Sequence, residues 1–205
     1  MRRLLVRAGA VLAVPAALVL AALAVETLRV PRGLEADDVR FAAAPRVPRA
    51  LWTDLSAAPG DVGEHVLGIR DDIAYRRTVA LYAKVKDVSI SGPELEALSG
   101  QALLEVTLGS KAETDPRRQA QLLNFLGAMT LSRFSSIPAE REILLRTGIG
   151  AFRGAVTVDP GNADAKRNLE LALRLPGVAE LPGLDPDAGG ARGQRSGAGR
   201  EGSGY

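Results

Sequence analysis

Between Ala8 and Val25, eighteen consecutive residues carry no charge, AGAVLAVPAALVLAALAV, and nothing else in the chain restricts its fate so strongly. At about 1.5 Å of rise per residue, such a run approaches the roughly 30 Å hydrocarbon core of a bilayer. Leu4, Leu5 and Val6 lengthen it, and Arg7 can snorkel to the headgroups. Pro15 removes one helix donor, which membrane helices tolerate. The pattern predicts a transmembrane anchor or signal segment over residues 1–28, meeting the membrane through residues 4–25. Two fates stay open. Ala22-Leu23-Ala24 is a small-x-small site behind a basic arm, as in a cleaved signal peptide, whereas the long run without a breaker before Ala22 favours a retained anchor. Arg29, Arg32 and Arg40 offset Arg2, Arg3 and Arg7, so the charge rule is weak, and the very short arm argues for a cytoplasmic N-terminus. Residues 26–205 are then expected outside the cytoplasmic membrane on a single-pass anchor, or secreted if the segment is cleaved.

The remaining composition narrows the chemistry. The chain has no cysteine and one histidine, His65, which removes disulfides, thiolate metal sites, cysteine nucleophiles, the commonest general base and most zinc sites. His65 sits in a Gly-flanked stretch with no obvious partner. Thr147–Gly154 spaces its glycines G-x-G-x3-G behind a helical segment rather than a strand, so they read as close-packing positions and not as a dinucleotide loop. Asp71-Asp72 and Glu35, Asp37, Asp38 lack the calcium-loop pattern. Residues 1–32 carry five arginines against Glu26, net +4; residues 33–176 carry 18 basic and 19 acidic groups, net −1; residues 177–205 carry three against four, net −1. A folded part so balanced presents no basic face for nucleic acid. The expectation is a chain without catalytic residues, cofactor or metal, and without a nucleic-acid partner.

Along the exported part, residues 29–71 read as an irregular linker, broken by Pro31, Pro45, Pro48, Pro59 and by Gly33, Gly60, Gly63. Trp52 reads as an anchor pinning that linker to a helical body. From residue 72 the period turns helical, and Tyr75, Val79, Leu81, Tyr82 and Val85 form an apolar stripe. Ser91-Gly92-Pro93-Glu94 and Asp115-Pro116 are helix starts with Pro in the first turn. Leu95, Leu98, Ala102, Leu103 and Val106 form one buried face, ended by Gly109-Ser110; Leu122, Leu123, Leu126 and Met129 form the next. Pro138 opens a helix through Ile143, Leu144, Ile149, Phe152 and Ala155; Asp159-Pro160-Gly161-Asn162 is a tight turn, and Ala163–Leu175 a last helix stopped by Pro176. Val85–Ile90 is the only strand candidate, and it is short. The fold class is all-α, with about five helices over 72–176. Residues 177–205 hold nine of the 22 glycines, too little apolar surface to offset ordering, and read as a disordered tail.

One stretch has a specific pattern: Gly148-x3-Phe152-x2-Ala155-x4-Pro160, followed by Ala163-x-Ala165-x2-Asn168-Leu169-x2-Ala172-Leu173. Small residues let helices approach closely, Phe152, Leu169 and Leu173 fill the space between them, Pro160 ends one helix and Asn162 can cap the next. This resembles a tetratricopeptide-repeat boundary. Asn124-x-Leu126-Gly127 resembles the first-helix signature of the preceding repeat. Leu126 to Gly148 is 22 residues, about nine more than a 34-residue repeat leaves there, and Glu170 stands where the repeat prefers Gly. The wording VDPGNADAKRNLELAL is similar to the repeat in membrane-anchored Bat-type proteins, encoded near MoxR-like ATPases and von Willebrand factor A proteins. That resemblance implies an adaptor accessory to a membrane complex, with protein partners of unknown identity and an oligomeric state left open. The alternative from the residues themselves is a purely structural helical subunit whose repeat-like residues only pack.

Overall fold

Among the described residues all regular structure is helical: α1 (Arg2–Ala43), α2 (Arg70–Val85), α3 (Pro93–Ala112), α4 (Pro116–Ser132), α5 (Pro138–Val158) and α6 (Ala163–Leu173). The structure, a computed structural model, describes residues 2–45, 51–53, 68–86, 92–133 and 135–181; within α1 the side chains of residues 2–16, 18, 19 and 22 lie outside that description. The all-α class read from the sequence therefore holds. The uncharged run 8–25 falls mostly on those undescribed side chains. Among the described residues no helix is long and apolar enough to cross a membrane.

Local chemistry sets the helix starts. Pro93 and Pro138 open α3 and α5, where a missing N–H costs nothing. Before Pro93, Gly92 sits at φ +68°, which a side chain would disfavour. Asp115 caps α4 by accepting from the N–H groups of Arg117 (2.8 Å) and Arg118 (3.1 Å). Asn162 caps α6 by accepting from Ala165 N–H at 2.9 Å. The Asp159–Asn162 turn is present as read.

The region expected as linker differs most. α1 continues without a break through Pro31 to Ala43, so residues 29–43 are helix. A proline inside a helix removes a donor and costs about 3 kcal/mol; tertiary packing offsets it here. Val30 and Leu34 are buried one turn apart, with Asp37 and Phe41 continuing the same face. That helical period spans Pro31, which hides it from a reading that stops at prolines. Residues 54–67, including His65, lie outside the described residues, as do 87–90 of the strand candidate; Val85 itself ends α2.

Smaller differences follow the same logic. The buried face of α2 is Ile73, Thr78 and Tyr82, with Tyr75 and Val79 only half-buried. α3 runs past Gly109-Ser110 to Ala112, where Glu113 N–H closes on the Gly109 carbonyl at 2.9 Å. In α5, Ile143 is 64% exposed and Leu145 takes the inward position. α6 stops at Leu173 rather than Leu175.

The chain divides into two compact units, residues 1–122 and 123–205, with the boundary inside α4. This departs from the single helical domain expected over 72–176, because the helices before Leu122 group with α1. In unit 1, Val30, Leu34, Trp52 and Ile73 form a core, with Phe41, Leu51, Ile69 and Ala80 against it, and α2 packs on α3. In unit 2, α5 packs on α6, and the core is Leu145, Ile149, Phe152, Ala172 and Val178. Val178 is fully buried, and Leu181 packs beside it. The expected tail therefore begins later than Gly177: short turns, with Val178 N–H on the Leu175 carbonyl and Leu181 N–H on the Val178 carbonyl, fold 174–181 onto the core. Residues 182–205 lie outside the described residues.

Candidate functional site

Unit 2 brings the repeat-signature residues together. Gly127 lies under the Phe152 ring; a Cβ there would meet ring carbons at 2.6 to 2.9 Å. Gly148 meets Leu131, and a Cβ there would fall 2.6 Å from the Leu131 Cγ and 3.3 Å from the Gly127 carbonyl oxygen. These two glycines set the approach of α4 residues 123–132 to α5, and no larger residue fits without movement. Phe152 is 3% exposed, and Ala155 and Ala172 are buried. Leu169 and Leu173 pack on the core from α6. Asn124 is buried, and its side-chain carbonyl accepts from the Asn168 amide at 2.9 Å, so two signature asparagines 44 residues apart satisfy one another. Leu126 is half-buried, and its carbonyl accepts from Thr130 Oγ1. Pro160 is exposed at the turn. Within the Gly-rich stretch, Gly150 faces open space, so it is not a packing position, whereas Gly154 makes ordinary contact with Leu123.

Beside this packed face lies a groove of about 280 Å³. Leu131, Leu144 and Leu145 form its apolar floor, Leu175 and Pro176 close one side, and Arg133, Ser135 and Arg141 stand at the rim. Leu145 is buried, but Leu175 is 39% exposed and Ile137, one turn before Arg141, is 53% exposed. The α5 entry holds the rim in place: Ser135 Oγ accepts from Ile137 N–H at 3.2 Å and donates to Glu140 at 2.7 Å. Glu142 is paired with Arg146 at 2.8 Å. Neither Arg133 nor Arg141 is ion-paired to a described carboxylate. No spacing rule announces this groove, because its parts come from the end of α4, the start of α5 and the turn after α6. One signal was present: Leu175, Val178 and Leu181 recur every three residues, the spacing of tight turns.

Unit 1 holds a second cleft, about 220 Å³, with Ala74, Leu108, Ala112 and Leu122 among its walls and Asp71, Glu105 and Glu113 around it. Tyr75 lines it, donating to Gln121 Oε1 and stacking under the Arg118 guanidinium at 5.0 Å. Burial pushes the Tyr75 phenol above its ordinary range, with Glu113 and Asp115 adding to this against Arg118. Glu113 already accepts from the N–H groups of Thr114 and Asp115. Nearby, Asp38 is bound by Arg76 through both oxygens, at 2.8 to 3.1 Å, and by the Trp52 indole at 2.9 Å. Burial raises the Asp38 carboxyl, but the Arg76 and Trp52 hydrogen bonds outweigh it and hold its pKa below the usual value. Asp72 bridges Arg76 and Arg118. Asp38, Asp72, Arg76 and Arg118 are thus paired with one another inside unit 1, so this ion network is structural.

Among the described residues no cluster of three His, Cys, Asp or Glu side chains could hold a metal ion. No protein-family model matches the chain, and no curated protein and no solved structure matches it.

Proposed function

We propose that this chain is a membrane-tethered helical interaction protein of the tetratricopeptide-repeat type, an adaptor that uses unit 2 to hold a protein partner in a membrane complex. The groove carries the reading: it is an apolar, partly exposed concavity beside two close-packed helices, and contiguous apolar surface left in water marks contact sites. The resemblance to Bat-type proteins supplies the membrane-complex setting, and the uncharged run 8–25 behind Arg2, Arg3 and Arg7 supplies the tether. On this reading residues 26–205 work outside the cytoplasm. A second reading, a structural subunit without a groove function, is favoured by one observation: Gly127, Gly148, Phe152 and the Asn124–Asn168 pair are consumed by internal packing.

Capture of the full chain from gently solubilised membranes separates the two. An adaptor brings down stoichiometric partners that disappear with Leu175→Glu, whose parent is 39% exposed, while the melting temperature stays unchanged. If partners persist with Leu175→Glu and are lost only with Phe152→Ala, in step with the lowered stability of unit 2, the structural reading stands. The tether is checked by alkaline extraction: the full chain stays with the membrane, and a chain lacking residues 1–28 does not.

A further inference from the structure

We propose that the unit 2 groove takes a short acidic segment of a partner protein, one that sets aliphatic side chains on the floor and carboxylates against Arg133 and Arg141. This rests on the adaptor reading and specifies its ligand. The argument is charge and shape complementarity. The floor of Leu131, Leu144 and Leu145 asks for aliphatic atoms, and at about 280 Å³ it lies at the low end of the roughly 300–1,000 Å³ of ligand pockets. It accommodates side-chain anchors. At the rim, two guanidiniums lack a described carboxylate partner; Glu142 is paired with Arg146, and the single carboxylate of Glu140, which accepts from Ser135, offsets only one of the two charges. Guanidinium forks match carboxylates bidentately, and a half-exposed Arg141 beside an apolar floor gains more from such a pair than one in bulk water. An anionic membrane surface is the weaker occupant, because the apolar residues here line a concavity, whereas a bilayer takes protruding ones.

The test is fluorescence anisotropy with the full chain in nonionic detergent. The probe is an acetylated, amidated, labelled peptide of leucines and glutamates, set beside one with lysine for glutamate and one with alanine for leucine. The acidic leucine peptide should bind at least about tenfold tighter than either control, and its affinity should fall as salt shortens the screening length. Arg141→Glu and Arg133→Glu should each weaken it about tenfold and improve the lysine peptide, a gain that misfolding cannot produce. Equal binding of the acidic and basic peptides overturns the proposal, as does indifference to both arginine variants. So does loss of peptide binding in nanodiscs containing phosphatidylglycerol but not in zwitterionic ones, which would assign the rim to lipid. The chain's own Leu184, Asp185 and Asp187 share the proposed chemistry; affinity rising more than tenfold in a chain ending at Leu181 would make that segment the occupant and overturn the partner assignment. Membrane partners still lost with Leu175→Glu while the peptides fail would leave the adaptor standing without an acidic ligand.

Discussion

The two units are held by different physics. In unit 1 the decisive contacts are polar and directional. Trp52 sits at φ +54°, a backbone region that costs an L-residue roughly 1–2 kcal/mol. It is held there because its N–H reaches Asp37 at 2.7 Å, its indole reaches Asp38, and its carbonyl accepts from Arg77 at 2.8 Å. The ring meanwhile packs on Phe41, centroids 5.5 Å apart. In unit 2 the decisive contacts are steric and undirected: an aromatic ring over a glycine, a leucine against another, and Val178 sealing the end. Unit 1 should therefore respond to charge and pH, and unit 2 to volume.

Core truncation gives the largest effects. Phe152→Ala should cost unit 2 about 3–5 kcal/mol, and Trp52→Ala a similar amount in unit 1. Trp52 is the only tryptophan, so its fluorescence reports unit 1 alone. In Phe152→Ala the urea midpoint by helical circular dichroism should fall below the fluorescence midpoint. Coincident midpoints in that variant would show that the boundary inside α4 is not a boundary in stability.

Next come the glycines. Gly127→Ala places a methyl 2.6 Å from Phe152, which forces ring or helix displacement and should cost about 1–3 kcal/mol despite the better helix propensity of Ala. In a Phe152→Leu background that cost should shrink, giving a measurable coupling. Gly150→Ala is the control; with open space at its Cβ, it should stabilise by up to about 1 kcal/mol.

This contrast also explains what the sequence disclosed. Unit 2 was legible because steric packing leaves a periodic record: Gly148, Phe152, Ala155, Ala172 and Leu173 each fall where helix spacing puts them. The start points Pro93, Asp115-Pro116, Pro138 and Asn162 were legible because capping is local. In unit 1 the helix starts and the anchoring of Trp52 on the helical body were legible. Its organising pairs were not, since Asp38 with Arg76 and Asp37 with Trp52 join residues 38 and 15 positions apart. Such pairs leave no spacing rule, and Pro31 disguised the periodic signal of α1, Val30-Leu34-Phe41. The groove was invisible for a related reason, being assembled from the ends of elements.

Charge variants in unit 1 should have intermediate effects. Asp38 is 40% exposed at its side chain, so Asp38→Asn should cost only about 1 kcal/mol once the 1.5–3 kcal/mol of charged hydrogen bonds is discounted for solvent. The sign with pH follows from its lowered pKa. The carboxylate's contribution is complete above the ordinary aspartate pKa of about 3.9 and is lost as pH falls through the lower folded value. Acid titration should thus lower the Trp52 fluorescence midpoint in the native chain more steeply than in Asp38→Asn. Parallel curves would remove Asp38 from the account of unit 1.

The smallest effect tests whether charge matters to unit 2 at all. Glu170 and Arg174 pair across one turn of α6, but their side chains are 64% and 69% exposed. Water screens the pair, and two long side chains lose rotamer freedom to form it, so Arg174→Ala should change stability by no more than about 0.5 kcal/mol. Raising salt from 0.05 to 0.5 M, roughly a threefold cut in screening length, should then move unit 2's midpoint less than unit 1's, where Asp72 bridges Arg76 and Arg118 half-sheltered from solvent. A unit 2 that softened with salt as much as unit 1 would mean that its glycine-lined contacts are not what holds it, and the division of labour between the two units would have to be redrawn.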